Sequence, residues 1–172
     1  MRTVWTVAAL TLALPAGGCG FHPLYGNTPD TAATAGELAS IYVDPIKTPE
    51  RLGYELRNTL IDLFDSSGRL PGSAYRLSIT LTQKSEGVAV QNDAAITRYN
   101  DTLTAKYVLT DRNGAAITEG SETGLSAYNV VASPYATLAA QRDADQRSAE
   151  DIAYRIRTDL AVYFARHASQ AK

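Results

Sequence analysis

Few residues in this chain could do chemistry, and they are scattered. Cys19, inside the stretch LPAGGCGFHPLYG at residues 14–26, is the only cysteine among 172 residues. A lone thiol forms no internal disulfide and no cysteine-based zinc site. Its options are a point of covalent attachment, an ordinary residue beside a cleavage site, or a buried thiol. The two histidines, His22 and His167, stand at opposite ends of the sequence, too few for most metal centres. His22 precedes Pro23 and is restricted to extended conformations, whereas His167 falls near the end of a helical pattern, where a cation suits the helix dipole. Asp143, Asp145, Glu150 and Asp151 cluster among Arg142, Arg147, Arg155 and Arg157, the mixture of a charge-laced helix face in solvent. The sequence has no G-x-S-x-G elbow, no H-E-x-x-H and no phosphate-cradling glycine loop, so nothing brings a nucleophile and a base together. The expectation is a protein without enzymatic activity, metal or cofactor.

Charge narrows the partners. Sixteen basic residues against eighteen acidic ones leave a formal charge of −2, and no overall field draws the protein to nucleic acid or anionic surfaces. Binding to a polyanion would need a local patch. Nucleic acid is not an expected partner.

The N-terminus separates from the rest by composition. Arg2 is followed by an uncharged run at residues 4–14, VWTVAALTLAL, too short to span a bilayer but of the length of a secretory signal core. Pro15 breaks it, and Ala16, Gly17 and Gly18 precede Cys19; small side chains let an extended backbone enter a peptidase site. The stretch resembles a bacterial lipobox, with Ala16 at the position where most carry leucine and Leu14 two residues further back. That resemblance implies cleavage before Cys19, acylation of its sulfur, and anchoring of the mature chain through several acyl chains at about 0.8 kcal/mol per buried methylene.

The remaining elements must form whatever surface does the work. Residues 27–36, NTPDTAATAG, are small and polar without apolar periodicity and read as a tether or loop. A strand is expected over residues 38–44, with Ile41 and Val43 on one face and Tyr42 on the other. Thr48 as N-cap, Pro49 at the first position and Glu50 at the positive dipole end announce a helix. Leu52, Leu56, Leu60, Leu63 and Phe64 stripe it, and Ser66, Ser67 and Gly68 close it. Residues 73–83 alternate, Tyr75, Leu77, Ile79 and Leu81 against Arg76, Ser78, Thr80 and Thr82. After a polar connection at residues 84–92, the alternation resumes with Tyr99, Leu103, Ala105, Tyr107 and Leu109 facing the core. An Asp111-Arg112-Asn113-Gly114 turn, with Asn-Gly supplying positive φ angles, leads to a strand at residues 117–131. Ser133-Pro134 then opens a long helix whose apolar stripe, Ala149, Ile152, Ala153, Ile156, Leu160, Tyr163 and Phe164, lies in its second half.

This order, β-α-β-β-β-α, predicts an α+β two-layer sandwich: a mostly antiparallel four-stranded sheet with two helices on one face. The opposite face carries Ser, Thr, Arg and Lys and should meet water or a polar partner. Lys84, Arg98 and Lys106 are the candidate phosphate contacts on or beside that face. The expected division is a signal peptide at 1–18, a lipidated tether at 19–36, one domain at 37–168 and a tail at 169–172.

CGFHPLYG after a signal peptide, together with YNVVASPYATLAAQRDADQRSAEDIAYRI and the element order, resembles the LptE family of lipopolysaccharide-assembly lipoproteins in its alphaproteobacterial form. The resemblance implies an outer-membrane lipoprotein seated in the lumen of a large β-barrel of the LptD type, assisting barrel assembly and delivery of lipopolysaccharide to the cell surface. Its partners would be that barrel, lipopolysaccharide and the membrane, with the covalent lipid on Cys19 in place of any cofactor. An auxiliary lipoprotein of a lipid-transporting ABC system and a structural periplasmic lipoprotein are the alternative readings.

Overall fold

The structure, a computed structural model, describes residues 29–47, 49–66, 68, 72–90 and 96–170; Ala16, Gly17, Gly18, Cys19, His22 and Thr48 lie outside them. The chain order is α1 (Pro29–Ala39), β1 (Ile41–Val43), α2 (Glu50–Phe64), β2 (Tyr75–Val90), β3 (Ile96–Thr110), β4 (Ala116–Asn129) and α3 (Pro134–Gln170). The sheet runs β1-β2-β3-β4.

Two features correct the expected fold. The sheet is mixed rather than mostly antiparallel: β1 pairs β2 in parallel, Ile41 beside Tyr75 and Val43 beside Leu77, whereas β2–β3 and β3–β4 are antiparallel. The cause is connectivity, since neighbouring strands joined by the crossover helix α2 must run in the same direction. Among the described residues there are also three helices, not two. Residues 29–36, expected to be loop, belong to α1, which takes Leu38 with it and shortens β1 to three residues. Among its described side chains Thr34 and Leu38, four residues apart, are the buried ones. So narrow a stripe gives no sequence periodicity; packing against α3 supplies what the pattern lacks.

The strands follow their alternation closely. In β3, Leu103, Ala105, Tyr107 and Leu109 are buried and Lys106 is exposed. β2 runs on to Val90, so the expected connection at residues 84–92 is strand for most of its length, held to β3 through Lys84–Thr102 and Glu86–Asn100. At the β3–β4 turn only Gly114 has a positive φ, of 83°. Asp111 organises that turn instead, its Oδ1 accepting from the Asn113 and Ala115 amides at 2.8 and 2.9 Å. These amides hold the Asp111 carboxyl below the usual aspartate value, that of Ala115 foremost.

The core lies between the sheet and the helices. Leu56, Leu60 and Phe64 of α2 and Ile152, Ile156 and Leu160 of α3 meet Leu77 and Leu109, all at most 2 % exposed. Each such side chain contributes about 1.5–3 kcal/mol by leaving water. Arg157 ties the two helices together, its Nε donating to the Leu63 carbonyl at the end of α2 at 3.1 Å. α3 crosses β4 closely at Gly124, where a Cβ would lie 3.0 Å from the Ser148 carbonyl oxygen.

Candidate functional site

Among the described residues all helices lie on one side of the sheet and leave its other face uncovered, and the strand register lays that face out in rows. Ser78, Val108 and Glu119 form one row; Thr80, Lys106 and Ser121 the next. Beyond them come Thr82–Thr104–Thr123, Lys84–Thr102–Leu125 and Glu86–Asn100–Ala127, and Arg98 stands beside Asn129. Threonine keeps the β-branched shape a strand favours while presenting a hydroxyl. Thr104 and Thr123 face each other with their hydroxyls 3.4 Å apart. This surface is a polar plate, not a pocket.

The three predicted cations all stand on this plate but do not converge. Lys106 and Arg98 lie four residues to either side of Thr102, the partner of Lys84, so consecutive cations are about 13 Å apart along the strands. Lys84 is held by Glu86 at 2.5 Å, which raises its pKa through the hydrogen bond first. Arg98 and Lys106 are exposed and make no ion pair among the described residues. Such a file of charges suits an extended anionic partner better than a single phosphate. Leu125, 77 % exposed, and Tyr135, 81 % exposed, add apolar surface at the end of the molecule where α3 begins.

Two open clefts among the described residues lie on the helix side. One, of about 340 Å³, is lined by Pro45, Ile46, Gly53, Tyr54 and Arg57. The other, of about 230 Å³, lies between α2 and α3 beside Asn58 and Gln146. Neither contains Lys84, Arg98 or Lys106. Among the described residues no three His, Cys, Asp or Glu side chains form a metal-binding group, and no helix is long and apolar enough to cross a membrane.

The acidic residues of α3 divide. Asp143 pairs with Arg147 and Asp151 with Arg155, and Glu150 accepts from Gln146, the solvent face expected. Asp145 instead turns towards the sheet and accepts from Gln83 Nε2 at 2.9 Å. Opposite it, Asp101 sits on the core face of β3, 2 % exposed. The sequence carried a signal for this: residue 101 falls in the same alternating register as Tyr99, Leu103 and Ala105.

A second acidic pair, Glu122 and Asp159, lies further along β4 and α3. Tyr107 Oη donates to Asp159 at 3.0 Å, and burial together with that carboxylate pushes the phenol well up, so it remains a donor. Burial first, then its hydrogen bond with Asp159, raises the Glu122 carboxyl above its ordinary value of 4.5. A proton held more tightly in the folded chain stabilises it fully below the ordinary value and is lost as pH rises through the raised one. Glu122→Gln is therefore expected to raise Tm at pH 7 and change it little at pH 4, as thermal unfolding at both pH values would show.

Comparison with known proteins points one way. Residues 38–161 match the family model LptE, lipopolysaccharide-assembly. A Caulobacter crescentus protein assigned as a lipoprotein superposes with a TM-score of 0.63 and 28 % identity, over 78 % of this chain and 97 % of that one. The rare lipoprotein B of Shewanella oneidensis (TM-score 0.54, 9 % identity, 72 % and 94 % covered) and a minor lipoprotein of Acinetobacter baumannii (0.53, 16 %, 72 % and 89 %) share the fold. No curated protein sequence gives a significant match.

Proposed function

We propose, starting from the fact that this chain belongs to the LptE lipopolysaccharide-assembly family, that it is the lipid-anchored plug of an outer-membrane lipopolysaccharide translocon. The family is one of non-enzymatic lipoproteins associated with the outer membrane and the lipopolysaccharide transport machinery. In this reading Cys19 carries the lipid, and residues 20–28 lead from the bilayer to α1. The sandwich occupies the lumen of an LptD-type β-barrel, supports that barrel's assembly and assists insertion of lipopolysaccharide at the cell surface.

The observation that carries the reading is the uncovered sheet face. A sheet with one bare side ordinarily faces water or a partner, and the lumen of a large barrel is polar and wet. Rows of Ser and Thr with Lys106 and Arg98 among them fit such a wall, where an apolar plate would not.

Two measurements test the anchor and the lipid contact. Mass spectrometry of the mature N-terminus is expected to find a chain beginning at an acylated Cys19; an unmodified or uncleaved Cys19 overturns the anchor. Arg98→Ala combined with Lys106→Ala is expected to weaken lipopolysaccharide binding about tenfold at fixed salt, as two charge-assisted contacts are worth a few kcal/mol at most. Unchanged affinity removes both residues from the contact surface.

A further inference from the structure

The buried polar cluster between β3, β4 and the first half of α3 lacks partners in a way the plug reading does not use. Asp101 is 2 % exposed, yet neither of its carboxylate oxygens has a hydrogen-bond partner among the described residues. Directly across the β3–β4 ladder is Ser126, whose hydroxyl is likewise buried and unpartnered. Above it, Ser148 of α3 is 4 % exposed, and its hydroxyl too has no partner. The Ser148 carbonyl lies over Gly124, two residues from Ser126, and Asp145 is one helical turn before Ser148 on the same side of α3. A second carboxylate and two hydroxyls thus belong to the same stretch of β4 and α3 that covers Asp101.

An unpaired carboxylate in a protein interior costs several kcal/mol unless something compensates it. The nearby positive charge is already engaged: Arg51, which acts on Asp145 from α2, is held by Glu55 at 2.8 Å. Asp145 feels the deficit. Burial, then the charge of Asp101, raises its carboxyl, and the Gln83 hydrogen bond and Arg51 only partly oppose this. Tyr128, stacked on Tyr99 with ring centroids 5.5 Å apart, has its phenol raised by burial and then by the charge of Asp101. Among the described residues the cluster offers carboxylate and hydroxyl oxygens and the Gln83 amide, and the one cation acting on Asp145, Arg51, is paired with Glu55.

We propose that this cluster is a low-affinity site for a hard divalent cation of the calcium type, with Asp101 and Asp145 as carboxylate ligands and the Ser126 and Ser148 hydroxyls completing an all-oxygen set. Hard cations take carboxylate, hydroxyl and water oxygens, and calcium tolerates the irregular geometry that a strand pair and a helix supply. With only two carboxylates the affinity falls in the range of about 10⁻⁴–10⁻³ M. Bound there, the cation fastens the alanine-rich first half of α3, whose apolar stripe is thin, to the far end of the sheet.

Terbium(III) is the probe, because the Tyr99–Tyr128 stack beside the cluster can sensitise its emission. The purified protein, excited in the tyrosine band, is expected to show saturable terbium luminescence displaced by millimolar calcium. Its Tm should rise by about 4–8 °C between chelator and 10 mM calcium chloride. Asp101→Asn and Asp145→Asn should each lose both responses, while Asp143→Asn, at an exposed ion pair, should keep both. A wild-type protein with no saturable emission and the same Tm in calcium and chelator overturns the proposal. Loss of the response in Asp143→Asn also overturns it, by placing the cation on the surface. The wild-type calcium dependence remains decisive if either cluster variant fails to fold.

Discussion

Gly53→Ala lowers stability by about 2–3 kcal/mol, the reverse of what the change does in most helices. In an ordinary helix interior alanine gains about 1 kcal/mol over glycine. Here a Cβ on residue 53 would lie 2.6 Å from the Ile46 carbonyl oxygen and 3.0 Å from both its Cβ and Cγ2. The obstacle is backbone and cannot rotate away. It is also fixed from several sides: Ile46 is buried, the Asp44 amide donates to the Leu77 carbonyl at 2.9 Å, and Arg57 Nε donates to the Val43 carbonyl at 3.0 Å. Relief requires α2 to back away from the end of β1, loosening Leu52 and Leu56 together, and overpacking of this kind costs about 1–3 kcal/mol, occasionally more. Urea denaturation should show a lower midpoint with an unchanged m-value. A midpoint that rises would mean that α2 and the segment after β1 are further apart than this packing has them.

Gly124→Val is the second large effect, at about 3 kcal/mol, and it falls on α3. The first added carbon meets the Ser148 carbonyl oxygen at 3.0 Å and Ile152 Cγ1 and Cδ1 at 3.2 and 3.3 Å. Valine adds two methyl groups beyond that point in a space already filled, and a Tm fall of about 6–12 °C follows for a domain of this size. Gly124→Ala should cost clearly less, since Ile152 can shift by a few tenths of an ångström. Hydrogen exchange locates the damage: amides of residues 140–152 should lose protection in the valine variant while those of β2 keep theirs until global unfolding.

Both glycines bear on how much of this molecule could be read from its residues. The strands and the apolar stripes of α2 and α3 were legible because period two and period 3.6 are written directly in Leu77–Leu81, Leu103–Leu109, Leu52–Phe64 and Ile152–Phe164. The wet sheet face was legible for the same reason, as were the positions of Arg98 and Lys106 on it. α1 was not, because Thr34 and Leu38 alone do not make a stripe. The parallel β1–β2 pair was implicit in strand-helix-strand connectivity, but a three-residue strand carries little pattern of its own. The buried position of Asp101 could have been found by keeping strict count along β3. Asp145 could not: its inward turn depends on where α3 crosses the sheet, which is set by the close approach of Ser148 to Gly124 and not written in any periodic pattern around Asp145.

The candidate site divides in the same way. Residue types placed Lys84, Arg98 and Lys106 on or beside one polar surface, but only the register shows them strung out along the strands, with Lys84 occupied by Glu86. An extended charged file and a threonine plate describe a surface that lies along something. That is the physical content of the plug reading, and it distinguishes this protein from one that encloses a small ligand.

The most direct test is a photo-crosslinking residue in place of Thr104, at the middle of the uncovered sheet face, in cells carrying the otherwise intact protein. The account predicts a single major adduct with an outer-membrane β-barrel protein, which should also copurify with the uncrosslinked wild type. No barrel adduct from residue 104, with copurification of an inner-membrane transporter complex instead, would contradict it.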